Sequence, residues 1–194
     1  MGEPVGNMSR MFSGIITPDG HISDMNADLM ERWTSAGHVW RLGSGYVSLA
    51  QDGVLYFSFK TPEAGFTVYT YGNFDKTGGE LLLQLWEGGT RTGGTATPMR
   101  SPNFIDGDTE LPFTEMFVGT AAAGMALAGA TQKLFPHMVP GVGNPASKLG
   151  GSKSGKGFII MKPNTLYTVS CTALQAAVTM TGNIDVVCLN SREI

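Results

Sequence analysis

Val54-Leu55-Tyr56-Phe57-Ser58-Phe59-Lys60 is the stretch that decides the fold class. Its residues alternate, with Leu55, Phe57 and Phe59 on one side and Tyr56 and Ser58 on the other. A repeat of two is that of a half-buried strand; a helix repeats every 3.6 residues. Thr61-Pro62 closes the run, because proline has no N–H to give to a ladder.

The same period recurs on both sides of this stretch. Phe66 to Tyr71 sets Phe66 and Val68 against Thr67, Tyr69 and Tyr71. Leu81 to Trp86 sets Leu81, Leu83 and Leu85 against Leu82, Gln84 and Trp86. Further on, Gly157 to Lys162 reads as a strand, and Pro163-Asn164 as its turn. Leu166 to Thr172 opposes Leu166, Thr168 and Ser170 to Tyr167, Val169 and Cys171. Val178 to Thr181 and Ile184 to Leu189 complete the series, with Gly182-Asn183 read as the turn between them. Short alternating strands with polar turns predict a mostly β chain folded as an antiparallel β-sandwich. Long excursions between strands suit a jelly roll better than a meander.

Elsewhere the pattern is weaker. Residues 1–14 read as a flexible N-terminal arm, and 15–194 as a single domain. Asn26 to Ser35 fits one short helix, with Leu29 and Trp33 four apart and Gly37 ending it. Ser44, between Gly43 and Gly45, reads as a turn before a strand. Gly72 to Gly79 reads as a loop, and Gly88 to Asp108 as a longer polar one. Leu111 to Gly119 fits a further strand. In Ala121 to Ala130 the alanines favour helix and the glycines oppose it. Pro136 to Gly157 reads as a second long loop.

Composition narrows the function. Charged residues are 15% of 194, against roughly 25% in an average soluble domain. Ser, Thr, Asn, Gly and apolar atoms, or another subunit, must therefore cover the surface. The net charge is −3 and no stretch is densely basic, which argues against a nucleic-acid partner, since that affinity rests on phosphate neutralisation. The N-terminus lacks a signal-peptide pattern. Val118 to Ala130, broken by glycines, is too short to span a bilayer, so no membrane role is expected. Cys171 and Cys188 are read as buried, reduced, small hydrophobes.

Motifs for chemistry are incomplete. Gly150 to Lys156 matches the first part of a phosphate-binding loop, but Gly157 replaces the Ser or Thr and a strand follows instead of a helix. What remains is a mildly basic loop, with Lys148, Lys153 and Lys156, able to touch an acidic surface. His21, His38 and His137 have no zinc-ligand spacing. Asp24, Asp28 and Glu31 read as a solvated acidic group, and Asp106 and Asp108 offer too few ligands for calcium. No Gly-x-Ser-x-Gly nucleophile elbow occurs. Asp75, Glu80, Glu87, Glu110 and Glu115 could supply a glycosidase's two carboxylates, but sequence places no pair. No cofactor, metal site or enzyme activity is therefore expected. Tyr69, Tyr71 and Trp86 stand opposite the apolar rows, where they could cover a protein partner, hold a carbohydrate, or pack under the long loops. Arg91 and Arg100 join them as candidate contacts.

Two stretches carry a family resemblance. One runs from Gly88-Gly89-Thr90 through Thr95-Ala96-Thr97-Pro98-Met99-Arg100-Ser101-Pro102-Asn103-Phe104, directly after the Leu81 to Trp86 strand. The other is Ile159-Ile160-Met161-Lys162-Pro163-Asn164-Thr165-Leu166-Tyr167. Together with the strand order they resemble virion structural proteins of tailed bacteriophages. In that group a Gly-Thr-x-x-Thr-Pro loop, with Arg and Asn following, leads to a late Leu-Lys-Pro-Asn-Thr-x-Tyr turn. Met161 stands where the group has Leu, and the Arg/Asn spacing departs from the pattern. The resemblance spans residues 45–190 and implies a jelly-roll-like head decoration or cement protein. Such a protein would bind the major capsid protein as a homo-oligomer, with a trimer as the expected form, in a virion assembled in the host cytoplasm. A tail or fibre component that binds a receptor or carbohydrate is the alternative it leaves open.

Overall fold

The computed structural model describes residues 31, 33–102, 112–133, 137–139, 159–174 and 177–189. The strands run β1 (Val39–Leu49), β2 (Val54–Lys60), β3 (Phe66–Gly78), β4 (Leu81–Glu87), β5 (Thr90–Thr92), β6 (Thr95–Ala96) and β7 (Thr114–Thr120). After a 3-10 turn at Ala121–Ala123 come β8 (Ala126–Ala128), β9 (Thr131–Gln132), β10 (His137–Val139), β11 (Ile159–Met161), β12 (Leu166–Ala173) and β13 (Val178–Leu189). One sheet has the order β1-β13-β3-β11, and the second the order β10-β4-β12-β2-β7-β6, with β9 also on β4. β5 and β8 form a separate two-stranded ribbon. All pairings are antiparallel. The chain is thus a mostly β, antiparallel sandwich, as its alternation predicts.

The inner faces of the two sheets make one core. Leu55, Phe57 and Phe59 of β2, Leu81, Leu83 and Leu85 of β4, and Tyr167, Val169 and Cys171 of β12 face Leu42, Phe74, Met180, Ile184 and Val186 of the first sheet. Phe57 meets Phe74 edge to face across the layers, with ring centroids 6.0 Å apart. Such pairs contribute about 0.5–1.5 kcal/mol beyond the area they bury. Cys171 and Cys188 are both buried in this core.

Several turns expected from sequence are strand interiors. Gly182-Asn183 does not turn, and β13 runs unbroken through it. Gly182 is there because Phe74 is in the way: a Cβ would lie 2.6 Å from that ring. Likewise β3 continues through Gly72 to Gly78, where a loop was expected. Gly43-Ser44-Gly45 is a bulge inside β1, with Gly45 at φ 67°, and not a turn before it. The extra residue bends the strand, and Ser44 Oγ fills the gap by accepting from Gly182 N–H at 3.1 Å. The loop expected over Gly88 to Asp108 contains β5 and β6, and β10 lies in the loop expected over Pro136 to Gly157. Ala121 to Ala130 divides into the 3-10 turn and β8. Thr120 Oγ1 caps that turn, and Gly124, at φ 84°, ends it.

The helix expected over Asn26 to Ser35 is helical at Glu31 and at Trp33–Ser35, within its described part. It ends at Gly37, φ 75°, with Gly37 N–H bonded to Thr34 O and His38 N–H to Trp33 O. That pair of bonds is a Schellman cap, which needs the left-handed conformation glycine supplies. The arm at 1–14, the phosphate-loop match at 150–156, His21, Asp24, Asp28, Asp106, Asp108 and Glu110 lie outside the described residues.

Each sheet is also covered on part of its outer face. In the first, Val39 and Val187 are in register and point away from the main core, yet both are buried. Leu189, on the same side of β13, and Trp33 of the helical turn are buried too. On the second sheet the cover is the β5–β8 ribbon. Met125, 2% exposed, sits over Gly119, where a Cβ would come within 3.2 Å of its sulfur and 3.0 Å of Gly94 Cα. Gly89 lets the ribbon close on the strand end, since a Cβ there would strike Ala128 O at 2.5 Å.

Candidate functional site

The outer face of the second sheet carries a concavity that gathers aromatic and polar side chains. Its floor is Ser170 and Thr172 of the central strand β12, its sides are Val54 and Tyr56 of β2 and Gln84 and Trp86 of β4, and its overhang is Leu127, Gly129 and Ala130. The groove encloses about 200 Å³. Pairing places these residues: Ser170 lies between Tyr56 and Gln84, and Trp86 is in register with Thr168, two residues along. The overhang is tied down on both sides, by β5 against β8 and by β9 against Trp86 and Glu87.

Hydrogen bonds set the side chains in place. Trp86 Nε1 donates to Ser170 Oγ at 2.9 Å, which lays the indole across β12. Gln84 Nε2 donates to Gln132 Oε1 at 3.1 Å. No Asp, Glu, Lys, Arg, His or Cys is among the described lining residues. The arrangement suits binding by stacking and hydrogen bonding; it offers no acid–base pair.

Charge sits elsewhere. Glu87, at the end of β4, accepts from Lys162 Nζ at 2.6 Å and from Tyr167 Oη at 3.2 Å, and lies 3.3 Å from Lys133 Nζ. The Lys162 contact does most to hold its carboxyl below the usual range, although partial burial opposes this. Tyr167 Oη also accepts from Lys162 N–H at 2.9 Å, and burial pushes its phenol up. Lys162 and Tyr167 belong to the Lys162-Pro163-Asn164-Thr165-Leu166-Tyr167 turn. Thr61 clamps that turn by donating to Lys162 O at 2.7 Å and accepting from Thr165 N–H at 2.9 Å. Asn164 takes the left-handed conformation, φ 48°, that an asparagine tolerates.

On the first sheet, Arg41 makes a two-pronged ion pair with buried Asp185, at 2.7 and 2.8 Å. Burial pulls the Lys76 ammonium down while nearby Glu80 opposes the shift, and Lys76 Nζ donates to Gly79 O at 2.8 Å. Burial raises the Cys171 thiol far above its usual range, so it is no nucleophile. Among the described residues no three His, Cys, Asp or Glu gather as they would around a metal ion. No helix there is long and apolar enough to cross a membrane.

The candidates read from sequence are scattered. Trp86 lines the groove. Tyr69 and Tyr71 are on β3, in the other sheet, so the three aromatics do not form one patch. Backbone register sets Tyr69 between Val186 and Ile159, both of which pack in or against the main core. Phe66 and Val68 are in register with Leu189 and Val187. The Arg91 guanidinium lies 3.4 Å over the Phe117 ring and Nη1 donates to Gly93 O, so it fastens the ribbon to the sheet. Arg100 has an exposed side chain, and its backbone bridges to Arg41. Lys153 and Lys156 lie outside the described residues. Tyr56, Gln84, Ser170 and Thr172 were not singled out from the sequence; their shared phase opposite the apolar rows was the available signal.

Two large apolar side chains are exposed among the described residues, Tyr46 at 78% and Ile160 at 59%. They sit on β1 and β11, the opposite edges of the first sheet. Their neighbours Val47, Ile159 and Met161 pack against the core, so both point to the outer face.

No family model matches the sequence, and no curated protein and no solved structure matches the chain.

Proposed function

We propose that the chain is a non-enzymatic structural component of a tailed-bacteriophage virion, of the head decoration or cement type. It binds the major capsid protein and bridges neighbouring capsid subunits as a homo-oligomer. The observation that carries this reading is the placement of Tyr46 and Ile160. Single exposed apolar residues are ordinary on a protein surface. Here there is one on each edge strand of the same sheet, and an edge strand offers backbone groups to another chain. Two unlike edges make head-to-tail contacts, which close into rings when the rotation permits. The trimer follows from the family resemblance.

The strand order supports the jelly-roll half of that resemblance. Counting β1, β2, β3, β4, β7, β11, β12 and β13 as first to eighth, the first sheet reads 1-8-3-6, the order of a jelly roll. The second reads 4-7-2-5, so its fifth strand lies beside the second, where a jelly roll has it beside the fourth. We read the sandwich as a jelly-roll variant. The mechanism is mechanical: a standard interface buries about 1,600 Å², and contacts repeated by symmetry add avidity without tight single sites.

Quantitative mass spectrometry of purified particles tests this. A copy number comparable with that of the major capsid protein is the expected result, and the double substitution Tyr46→Ala, Ile160→Ser lowers it without unfolding the protein. A few copies per particle would move the chain to the tail or fibre. Absence from particles overturns the proposal.

A further inference from the structure

We propose that the groove on the second sheet binds one neutral sugar ring, with Trp86 and Tyr56 against its C–H faces and Gln84 and Thr172 bonding its hydroxyls. The first argument is charge. No ionisable group other than the Tyr56 phenol is among the described lining residues, so a charged ligand would lose water and find no counter-ion. The second is the mixture of surfaces. A purely apolar ligand would cover the Thr172 hydroxyl and the Gln84 amide without replacing their hydrogen bonds, which is costly. A ring with apolar faces and a hydroxyl rim satisfies both kinds of wall.

Geometry agrees. β2 and β4 flank β12; Tyr56 is in register with Ser170 and Trp86 with Thr168, and the indole reaches back to Ser170, so the two aromatics adjoin over β12 as walls of one small site. The enclosed volume, about 200 Å³, is below the ~300–1,000 Å³ of drug-sized pockets and suits one monosaccharide unit. The site is also largely pre-ordered. Trp86 is held by Ser170, and Gln84 Nε2 is engaged by Gln132, which aims Gln84 Oε1 as an acceptor.

This site is independent of the assembly proposed above. Tyr46 and Ile160 face outward from the first sheet and the groove from the second, so one face can attach while the other is presented.

The protein carries its own probe. Trp33 and Trp40 are 7% and 6% exposed, so Trp86 is the accessible tryptophan. The full chain is titrated with glucose, galactose, mannose and N-acetylglucosamine while tryptophan fluorescence and the indole N–H resonances are followed. At least one of these is expected to give a saturable change confined to the Trp86 signal, with a dissociation constant on the order of millimolar, as one small ligand allows. Glucuronate and glucosamine at the same concentrations give none. Tyr56→Ala, which leaves the reporter in place, weakens binding about tenfold or more with an unchanged unfolding midpoint. The proposal is overturned if none of the four neutral sugars saturates the signal, if the charged sugars bind equally well, or if a folded Tyr56→Ala binds like the parent.

Discussion

Gly182 shows how much a single missing methyl group decides. A Cβ at this position would sit 2.6 Å from Phe74 Cδ1 and 3.0 Å from Cε1, with the Met180 methyl at 3.3 Å. Phe74 is itself locked edge to face against Phe57 and has little room to retreat. Gly182→Ala therefore loses about 1–3 kcal/mol, the usual range for an overpacked core, and urea unfolding measures it. A loss of only a few tenths would mean that the ring swings aside. The same glycine marks a limit of the sequence. Gly-Asn is a strong turn signal, and nothing local distinguishes a glycine that turns from one that makes room for a ring more than a hundred residues earlier. The first sheet shows a second limit. Period two separates two faces of a strand without saying which is inside. At this end of the first sheet Val187 and Val186, successive residues of β13, are both 0% exposed, so neither phase reads as solvent. By contrast the assignment of Leu81, Leu83 and Leu85 against Gln84 and Trp86 was legible, because one face of β4 is sealed and the other is only partly covered.

Turns and ribbons, at the scale of elements, turn polar sequence into structure. The Lys162 to Tyr167 turn looks like generic loop chemistry, yet its lysine and phenol, with Lys133, hold the Glu87 carboxylate of β4. Its pH dependence follows from the sign of the Glu87 shift. A carboxyl held low in the folded state adds stability above its unfolded pKa, and that stability is lost as pH falls through the folded pKa. Glu87→Gln should thus be less stable at neutral pH by about 1 kcal/mol, since Lys162 is mostly solvated and charge-assisted bonds count for less there. The difference between parent and variant should vanish in strong acid, as thermal unfolding midpoints across pH would show; a gap that persists there would mean that shape and not charge is at work. The groove depends on elements in the same way. Trp86 stood out opposite an apolar row while Tyr56 read only as the polar side of its strand, and their meeting needs β12 between them. Ser58 and Thr168, hydrogen-bonded at 3.0 Å, are 110 residues apart in sequence. No short-range pattern carries that pairing, nor the clamping of β5 and β8 over the sheet.

The frame of the whole molecule is closed by its last two long strands. β12 lies between β4 and β2, and β13 between β1 and β3. β12 is buried along most of its length, and β13 is buried on both faces from Ile184 to Leu189 and on one face before that. Ending the chain at Ala177 removes β13 and leaves β1 with no strand partner among the described ones. Such a chain is expected to lose its cooperative unfolding transition, rather than show a weakened one. A sigmoidal denaturation curve from it would sink this view of the frame. There is a consequence for biosynthesis. Until residues 178–189 have been made, the first sheet lacks its β13, and Leu55, Phe57 and Leu85 of the second have no facing layer to seal them. The sandwich is completed only when β13 is added between β1 and β3. The finished sheets and the surfaces they bear therefore certify to any partner that translation has passed residue 189.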